Sequence, residues 1–70
     1  MKSRYGTREL TKREWYVLRL VASGLKNGEI AREIGTTSNT VKNYLRSIYD
    51  KLGMWSRLEL ALWYCAHRER

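Results

Sequence analysis

The chain of 70 residues is long enough for one small domain and too short for a second. Its single cysteine excludes an intramolecular disulfide, and one cysteine with one histidine leaves no usual zinc ligand set, so apolar packing must hold the fold. A net charge of +7 favours a polyanionic partner, nucleic acid first and an anionic membrane surface second. No apolar run is long enough to span a bilayer and no signal-peptide pattern opens the chain, so we expect a soluble cytoplasmic protein.

The first nine residues, MKSRYGTRE, have no apolar period and carry three basic side chains. We interpret residues 1–9 as a flexible basic leader or the stub of a linker from a longer protein. Two roles stay open for it: a solvated tail, or an arm that touches DNA. The folded domain is expected over residues 10–70.

The first helix is predicted to begin at about residue 12. Thr11 and Glu14 have the spacing of a capping box, and Leu10 and Trp15 have that of a hydrophobic staple. The apolar residues that follow keep a helical period until Gly24, which offers a left-handed stop. The sequence therefore predicts a largely buried first helix.

A short second helix is predicted over residues 29–34, with Asn27 as its cap and Gly35 closing it. Only six residues, GTTSNT, then precede the next apolar residue, and they predict a turn followed by a cap at Thr37. Two short helices joined by a turn of this length are the helix-turn-helix layout. In that layout the N-terminal end of the second helix of the pair is free to enter a groove.

The third helix, predicted over residues 38–52, has two unlike stripes. The apolar stripe comprises Val41, Tyr44, Leu45, Ile48 and Leu52. The opposite stripe is rich in hydrogen-bond donors and comprises Asn39, Lys42, Asn43, Arg46 and Asp50. Arg46 can pair bidentately with guanine and Asn43 with adenine in a major groove. We interpret this as a recognition helix; a solvated polar face is the alternative, which the preceding turn and the excess positive charge disfavour.

Phosphate contacts are expected from residues beside this stripe. Thr37, as the N-cap, can offer the helix dipole and free N–H groups to a phosphate, with capping alone as the alternative. Lys51 and Lys26 are predicted backbone contacts that carry little sequence information, and Asn39 joins them. Asp50 would repel phosphates, so it is expected beyond the groove, restraining Arg46 one turn away.

A fourth helix is predicted from about residue 57, with Ser56 and Glu59 as a second capping box and Trp55 and Leu60 as a second staple. This helix is apolar on two faces. The outer face is predicted to pack on a second copy about a two-fold axis, the alternative being ordinary exposure of apolar residues. The predicted dimer interface comprises Leu58, Leu62, Cys65 and Ala66.

No group of residues suits acid–base, nucleophilic or metal chemistry. Cys65 is interpreted as a small apolar filler and His67 as solvated, while Glu14 is expected to form an exposed pair with Arg57 that matters little to stability. We therefore expect no enzyme, no metal site, no cofactor and no small-molecule ligand in this chain. Four helices joined by three short turns predict an all-α fold, a compact four-helix helix-turn-helix domain.

Two segments carry a family resemblance: LTKREWYVLRLVASGLKNGEIAREI, and TSNTVKNYLRSIYDKLG followed by SRLEL. They resemble the LuxR-type helix-turn-helix domain, also called the FixJ/NarL or GerE type, of bacterial transcription regulators, over Leu10 to about Ala66. The sequence departs from the family pattern at Ser38, where many members have proline, and at Tyr44, where histidine is common.

The resemblance implies a recognition helix in the major groove, with base contacts at the positions of Lys42, Asn43 and Arg46. It also implies that the last helix forms the dimer and that further residues lie against phosphates: Thr40, Tyr44 and Lys51. The expected function is sequence-specific binding of double-stranded DNA by a homodimer in the bacterial nucleoid, as in a response regulator output domain, with RNA polymerase as a further partner. Two rivals stay open: a sigma-factor domain that binds polymerase as a monomer, and a protein-interaction module that uses the outer face of the last helix.

Overall fold

The computed structural model describes residues 10–67, and within that range the fold is all-α. It contains α1 (Lys12–Ala22), α2 (Asn27–Ile34), α3 (Ser38–Leu52) and α4 (Arg57–His67), with no strand in the described range. The prediction of a compact four-helix helix-turn-helix domain is confirmed. The predicted leader over 1–9 and the last three residues of the predicted domain lie outside the described residues.

The helices begin at the residues whose side chains satisfy their free N–H groups. Thr11 Oγ1 accepts a hydrogen bond from the Glu14 N–H at 3.0 Å, and Glu14 Oε1 accepts one from the Thr11 N–H at 2.9 Å. The predicted cap of α3 is also present, because Thr37 Oγ1 accepts from the Thr40 N–H at 3.2 Å. The predicted Ser56–Glu59 box opens α4. The predicted local caps therefore set three of the four starting points.

The start of α2 differs from the prediction. The helix begins at Asn27, two residues earlier than predicted, and its N-cap is Lys26. The Lys26 N–H donates to Glu29 Oε1 at 2.7 Å, so a side chain of the first turn of α2 satisfies the free N–H of its own N-cap residue. Asn27 does not cap α2, since its Oδ1 accepts a hydrogen bond from Arg57 instead.

The turn that makes the helix-turn-helix depends on Gly35. Gly35 has φ +75° and ψ +43°, the left-handed conformation that a glycine adopts without a steric penalty. Its N–H donates to the Ala31 carbonyl, and the next N–H, of Thr36, donates to the same carbonyl at 2.8 Å. The chain thereby turns within three residues and enters α3.

All four helices contribute to one apolar core. α1 packs mainly on α4 and α3, and α2 packs mainly on α3. The largest completely buried side chains come from every helix: Val17, Leu18, Ile30, Val41, Ile48 and Leu60. This packing holds α3 by one stripe only and leaves its other side open.

A tryptophan that the sequence analysis left unassigned closes the core. Trp63 is buried, and its ring lies 5.7 Å from that of Trp15. His67 stacks on Trp63, with ring centroids 4.3 Å apart and planes 13° apart, and His67 Nδ1 lies 3.0 Å from the Trp63 carbonyl oxygen. His67 is exposed, in agreement with its interpretation as solvated, and its stacking on Trp63 is a contact that the sequence did not predict.

One packing prediction for the region of α4 is wrong. Trp55 is 88 % exposed while Leu60 is completely buried, so the predicted staple between them does not form. Cys65 is exposed, as its predicted place on the outer face of α4 requires. Both residues stand on the surface of α4 or just before it, where a partner can reach them.

Candidate nucleic-acid interface

The recognition helix is fixed by its apolar stripe. Val41, Leu45, Ile48 and Leu52 are between 0 % and 4 % exposed, and Tyr44 is half-buried beside them. Because these residues occupy one side of α3, the opposite side must face solvent. The division of the helix into two stripes, predicted from the sequence, is present in the structure.

The outward stripe collects the predicted base-reading residues. Asn39, Lys42, Asn43 and Arg46 are all exposed and line one hollow on the surface of α3. Two side chains from the N-terminal ends of other helices, Asn27 of α2 and Arg57 of α4, line the same hollow. The structure thus brings together amide and cationic groups, which can donate hydrogen bonds to base edges and phosphates.

The predicted phosphate contacts lie around this stripe. Thr37 is exposed at the N-terminus of α3, and its hydroxyl also donates to Thr40 Oγ1 at 3.2 Å. Lys26 is exposed at the N-terminus of α2, while Thr40 and Tyr44 are half-buried. The N-terminal ends of two helices therefore present cationic, hydroxyl and backbone N–H groups near the candidate DNA surface.

Lys51, another predicted phosphate contact, forms an ion pair with α1. Its Nζ lies 2.8 Å from Glu14 Oε1, and its side chain is 27 % exposed. One turn earlier on α3, Ser47 Oγ donates to Glu14 Oε2 at 2.8 Å. Both carboxylate oxygens of Glu14 are thus bound to the recognition helix.

Glu14 is a buried structural carboxylate, a role that the sequence analysis missed. It is 4 % exposed and joins α1 to α3, whereas the predicted partner was Arg57 in an exposed pair. Burial would raise the pKa of Glu14, but hydrogen bonds from Lys51, the Thr11 N–H and Ser47, with the charge of Lys51, outweigh burial and hold the pKa below its ordinary value. The i, i+3 spacing of Thr11 and Glu14 predicts the cap. It gives no indication of the contacts with Ser47 and Lys51, which are more than 30 residues away in the sequence.

Arg57 has a different task from the predicted one. Its Nη1 donates to Asn27 Oδ1 at 2.9 Å and its Nη2 donates to the Leu25 carbonyl oxygen at 2.7 Å. The guanidinium therefore ties the start of α4 to the connection between α1 and α2. This bidentate contact orients α4 relative to the helix-turn-helix.

The outer face of α4 is exposed, in agreement with the predicted position of its residues. Leu58 is 68 % and Leu62 is 62 % exposed, and Cys65 and Ala66 are exposed as well. Single exposed apolar residues are ordinary, but these four recur at helical spacing along one side of α4.

Within residues 10–67, no three His, Cys, Asp or Glu side chains come close enough to hold a metal ion. None of the helices in this range has the length and apolar character needed to cross a membrane.

A helix-turn-helix whose recognition helix exposes amides and cations defines a DNA-binding domain. A family model described as "Bacterial regulatory proteins, luxR family" matches residues 8–64. The chain therefore belongs to the luxR family of bacterial regulatory proteins, which are DNA-binding transcription regulators.

Known relatives agree with this assignment. The HTH-type transcriptional regulator MalT of Yersinia pestis (strain Pestoides F) is 45 % identical over 53 residues, which are 76 % of this chain and 6 % of the relative. MalT of Serratia proteamaculans (strain 568) matches with the same identity and coverage. The chain thus spans about 6 % of the length of the curated relatives it matches.

Proposed function

We propose that this chain binds double-stranded DNA sequence-specifically as a homodimer, with α3 in the major groove. The observation that carries the proposal is the exposed stripe of Lys42, Asn43 and Arg46, on a helix whose other side is buried. A major groove about 12 Å wide accommodates an α-helix. The base edges in it present hydrogen-bond donors and acceptors that side chains such as these can pair with.

Three side chains are assigned to the bases. Arg46 suits the O6 and N7 acceptors of guanine, and Asn43 suits the N6 donor and N7 acceptor of adenine. Lys42, one turn before Arg46, suits a guanine or a neighbouring acceptor. Each pairing that forms is worth about 1–3 kcal/mol of discrimination against a wrong base.

A second group of residues is assigned to the sugar–phosphate backbone, where contacts set orientation and register. Lys51 belongs to this group with one qualification, because a phosphate would have to share its ammonium group with Glu14. The group comprises Thr37, Asn39, Thr40, Tyr44, Lys51 and Lys26.

The homodimer is assigned to the outer face of α4, because two-fold symmetry presents two recognition helices to two half-sites. Leu62→Glu places a charge in that face, and Arg32→Gln, which changes net charge equally at an exposed position of α2, is the control. Sedimentation of the wild type should show dimers that Leu62→Glu, but not Arg32→Gln, dissociates. Crosslinking through the single cysteine, Cys65, should join two chains in the dimer.

We further propose that residues 10–70 are the output domain of a longer regulator acting in the nucleoid. Support comes from the relatives, of which this chain matches about 6 %. Residues 1–9 would then be the linker from the preceding part, and RNA polymerase would be a second protein partner at the promoter.

The testing experiment measures duplex affinity against salt concentration, for a selected-best sequence and for random DNA. The wild type should give a log–log slope of about −5 to −8, as expected if a dimer neutralises about six to nine phosphates. Arg46→Ala should lower the preference for the selected sequence, whereas Lys26→Ala should lower the affinity for both duplexes equally. If Arg46→Ala weakened binding to the selected and the random duplex equally, as Lys26→Ala should, the base-reading assignment would be wrong.

The same data separate the rivals. Tight duplex binding by a strict monomer at high concentration would favour the sigma-type domain. A shallow salt slope with no sequence preference would mean that the basic face is only solvated, and the outer face of α4 would then be a docking surface for another protein.

A further inference from the structure

Trp55 is the most exposed large apolar residue of the described chain. It lies in the turn between α3 and α4 and is 88 % exposed, although a tryptophan is normally among the most buried residues of a small domain. Its predicted packing on Leu60 does not occur. The core of the domain therefore does not account for this side chain.

The surroundings of Trp55 connect it to the recognition helix. Trp55 lines a shallow hollow together with Gly53, Met54 and three residues of α3: Arg46, Tyr49 and Asp50. Arg46 and Tyr49 also line the hollow that contains the base-reading stripe. The surface that holds Lys42 and Asn43 thus continues without interruption to Trp55. None of the outer-face residues of α4 lines this hollow, so Trp55 shares its surface with the DNA side rather than with the predicted dimer side.

Helix geometry places Trp55 near the edge of the groove. Residues 46 to 52 rise about 9 Å along α3, at 1.5 Å per residue. A major groove is about 12 Å wide, so a helix that reads bases with Lys42, Asn43 and Arg46 reaches the bordering strand near its C-terminal end. Trp55 lies three residues after that end.

We propose that Trp55 is a DNA-backbone contact that lies against the sugar–phosphate strand bordering the groove occupied by α3. The proposal rests on the proposed function. An indole suits this position because its apolar face can cover a deoxyribose while its Nε1–H donates to a phosphate oxygen. Such a contact carries no sequence information and strengthens binding to every duplex.

Asp50 limits how the strand can approach. Its carboxylate lines the same hollow and repels phosphates, so the strand passes along the outer edge of the indole and does not enter the hollow. Asp50→Asn removes that repulsion and should strengthen binding to selected and random duplexes alike.

The test compares wild type, Trp55→Ala and Trp55→Phe for affinity to a selected-best duplex and a random duplex, with Arg46→Ala alongside. Trp55→Ala should weaken binding to both duplexes by about tenfold for each protomer, the loss of one hydrogen bond to a charged group, and so by about a hundredfold for the dimer, with the ratio of the two affinities unchanged. Trp55→Phe, which keeps a ring and lacks the N–H, should fall between the two. Because the Trp55 side chain is exposed, both variants should keep the stability of the wild type in urea unfolding and its oligomeric state in sedimentation.

Fluorescence gives an independent readout. Trp55 is far more exposed than Trp15, which is half-buried, or Trp63, which is buried, so iodide should quench mainly Trp55. Duplex DNA should protect that emission, and Trp55→Phe should abolish the protected component.

Each alternative outcome has a distinct meaning. Unchanged affinity of Trp55→Ala, with Arg46→Ala still losing preference, would overturn this inference and leave the proposed function standing. Weaker DNA binding accompanied by dissociation of the dimer would overturn it by assigning Trp55 to contacts between copies. Absence of duplex binding by the wild type would overturn both.

Discussion

Lys51 Nζ of the recognition helix lies 2.8 Å from Glu14 Oε1 of the first helix, across 37 residues of chain. Glu14 Oε1 also accepts the Thr11 N–H, and Oε2 accepts the Ser47 hydroxyl. One buried carboxylate therefore caps α1 and fixes the C-terminal half of α3 to it. The orientation of the candidate base-reading stripe depends on this contact.

Replacement of Glu14 should destabilise the domain strongly. Glu14→Ala removes the cap of α1 and leaves Lys51 and Ser47 without their buried acceptor, which should lower the free energy of unfolding by about 3 kcal/mol. Glu59→Ala is the control, because Glu59 caps α4 in the same way but is exposed, and it should cost about 1 kcal/mol. Urea denaturation measures both losses. Equal losses would mean that the link to α3 adds nothing to the cap.

The same carboxylate should make stability depend on pH. The pKa of Glu14 is lower in the folded protein than its ordinary value of 4.5, so ionised Glu14 stabilises the fold fully above that value. As pH falls, the unfolded chain binds the proton first, and the contribution disappears as pH passes the folded pKa. The unfolding free-energy difference between wild type and Glu14→Gln should therefore be constant from pH 7 to about pH 5 and shrink toward pH 3. A difference that grows on acidification would contradict the sign of the shift.

The guanidinium of Arg57 should be needed for its shape as well as its charge. Arg57→Lys keeps the charge but cannot reach Asn27 Oδ1 and the Leu25 carbonyl together, so we expect a loss of about 1–2 kcal/mol in unfolding free energy. Asn27→Ala removes one of the two acceptors and should cost less in the Arg57→Lys background than in the wild type. Additive losses in a double-mutant cycle would show that the two residues are not coupled.

Two glycines of the helix-turn-helix should respond to alanine with opposite signs. Gly35 has φ +75° with open space around it, so Gly35→Ala suffers only the left-handed backbone strain, about 1–2 kcal/mol. Gly28 lies within α2, and a Cβ added there would meet Ser38 Oγ at an ordinary 3.8 Å. Gly28→Ala should stabilise the domain by about 0.5–1 kcal/mol through helix propensity. Thermal unfolding measures the stability of both variants. A Gly35→Ala variant more stable than the wild type would contradict the left-handed conformation assigned to Gly35.

Local sequence was sufficient for the helices and for the two-sided character of α3. Capping at Thr11, Thr37 and Ser56 involves residues three apart in the chain, so short-range spacing discloses it. The stripe of Lys42, Asn43 and Arg46 follows from the 3.6-residue period alone. The start of α2 was less predictable because Glu29, reaching back to the Lys26 N–H, replaced the expected cap.

By itself, then, the sequence determined the four helices, the glycine turn and the face of α3 available to DNA, because those features depend on neighbours within one or two turns. Only the tertiary structure decided which distant side chains meet. It paired Glu14 with Lys51, directed Arg57 to Asn27, stacked His67 on buried Trp63 and left Trp55 in solvent. Those contacts depend on the angles at which whole helices cross, and the residue pattern along a single helix does not determine those angles.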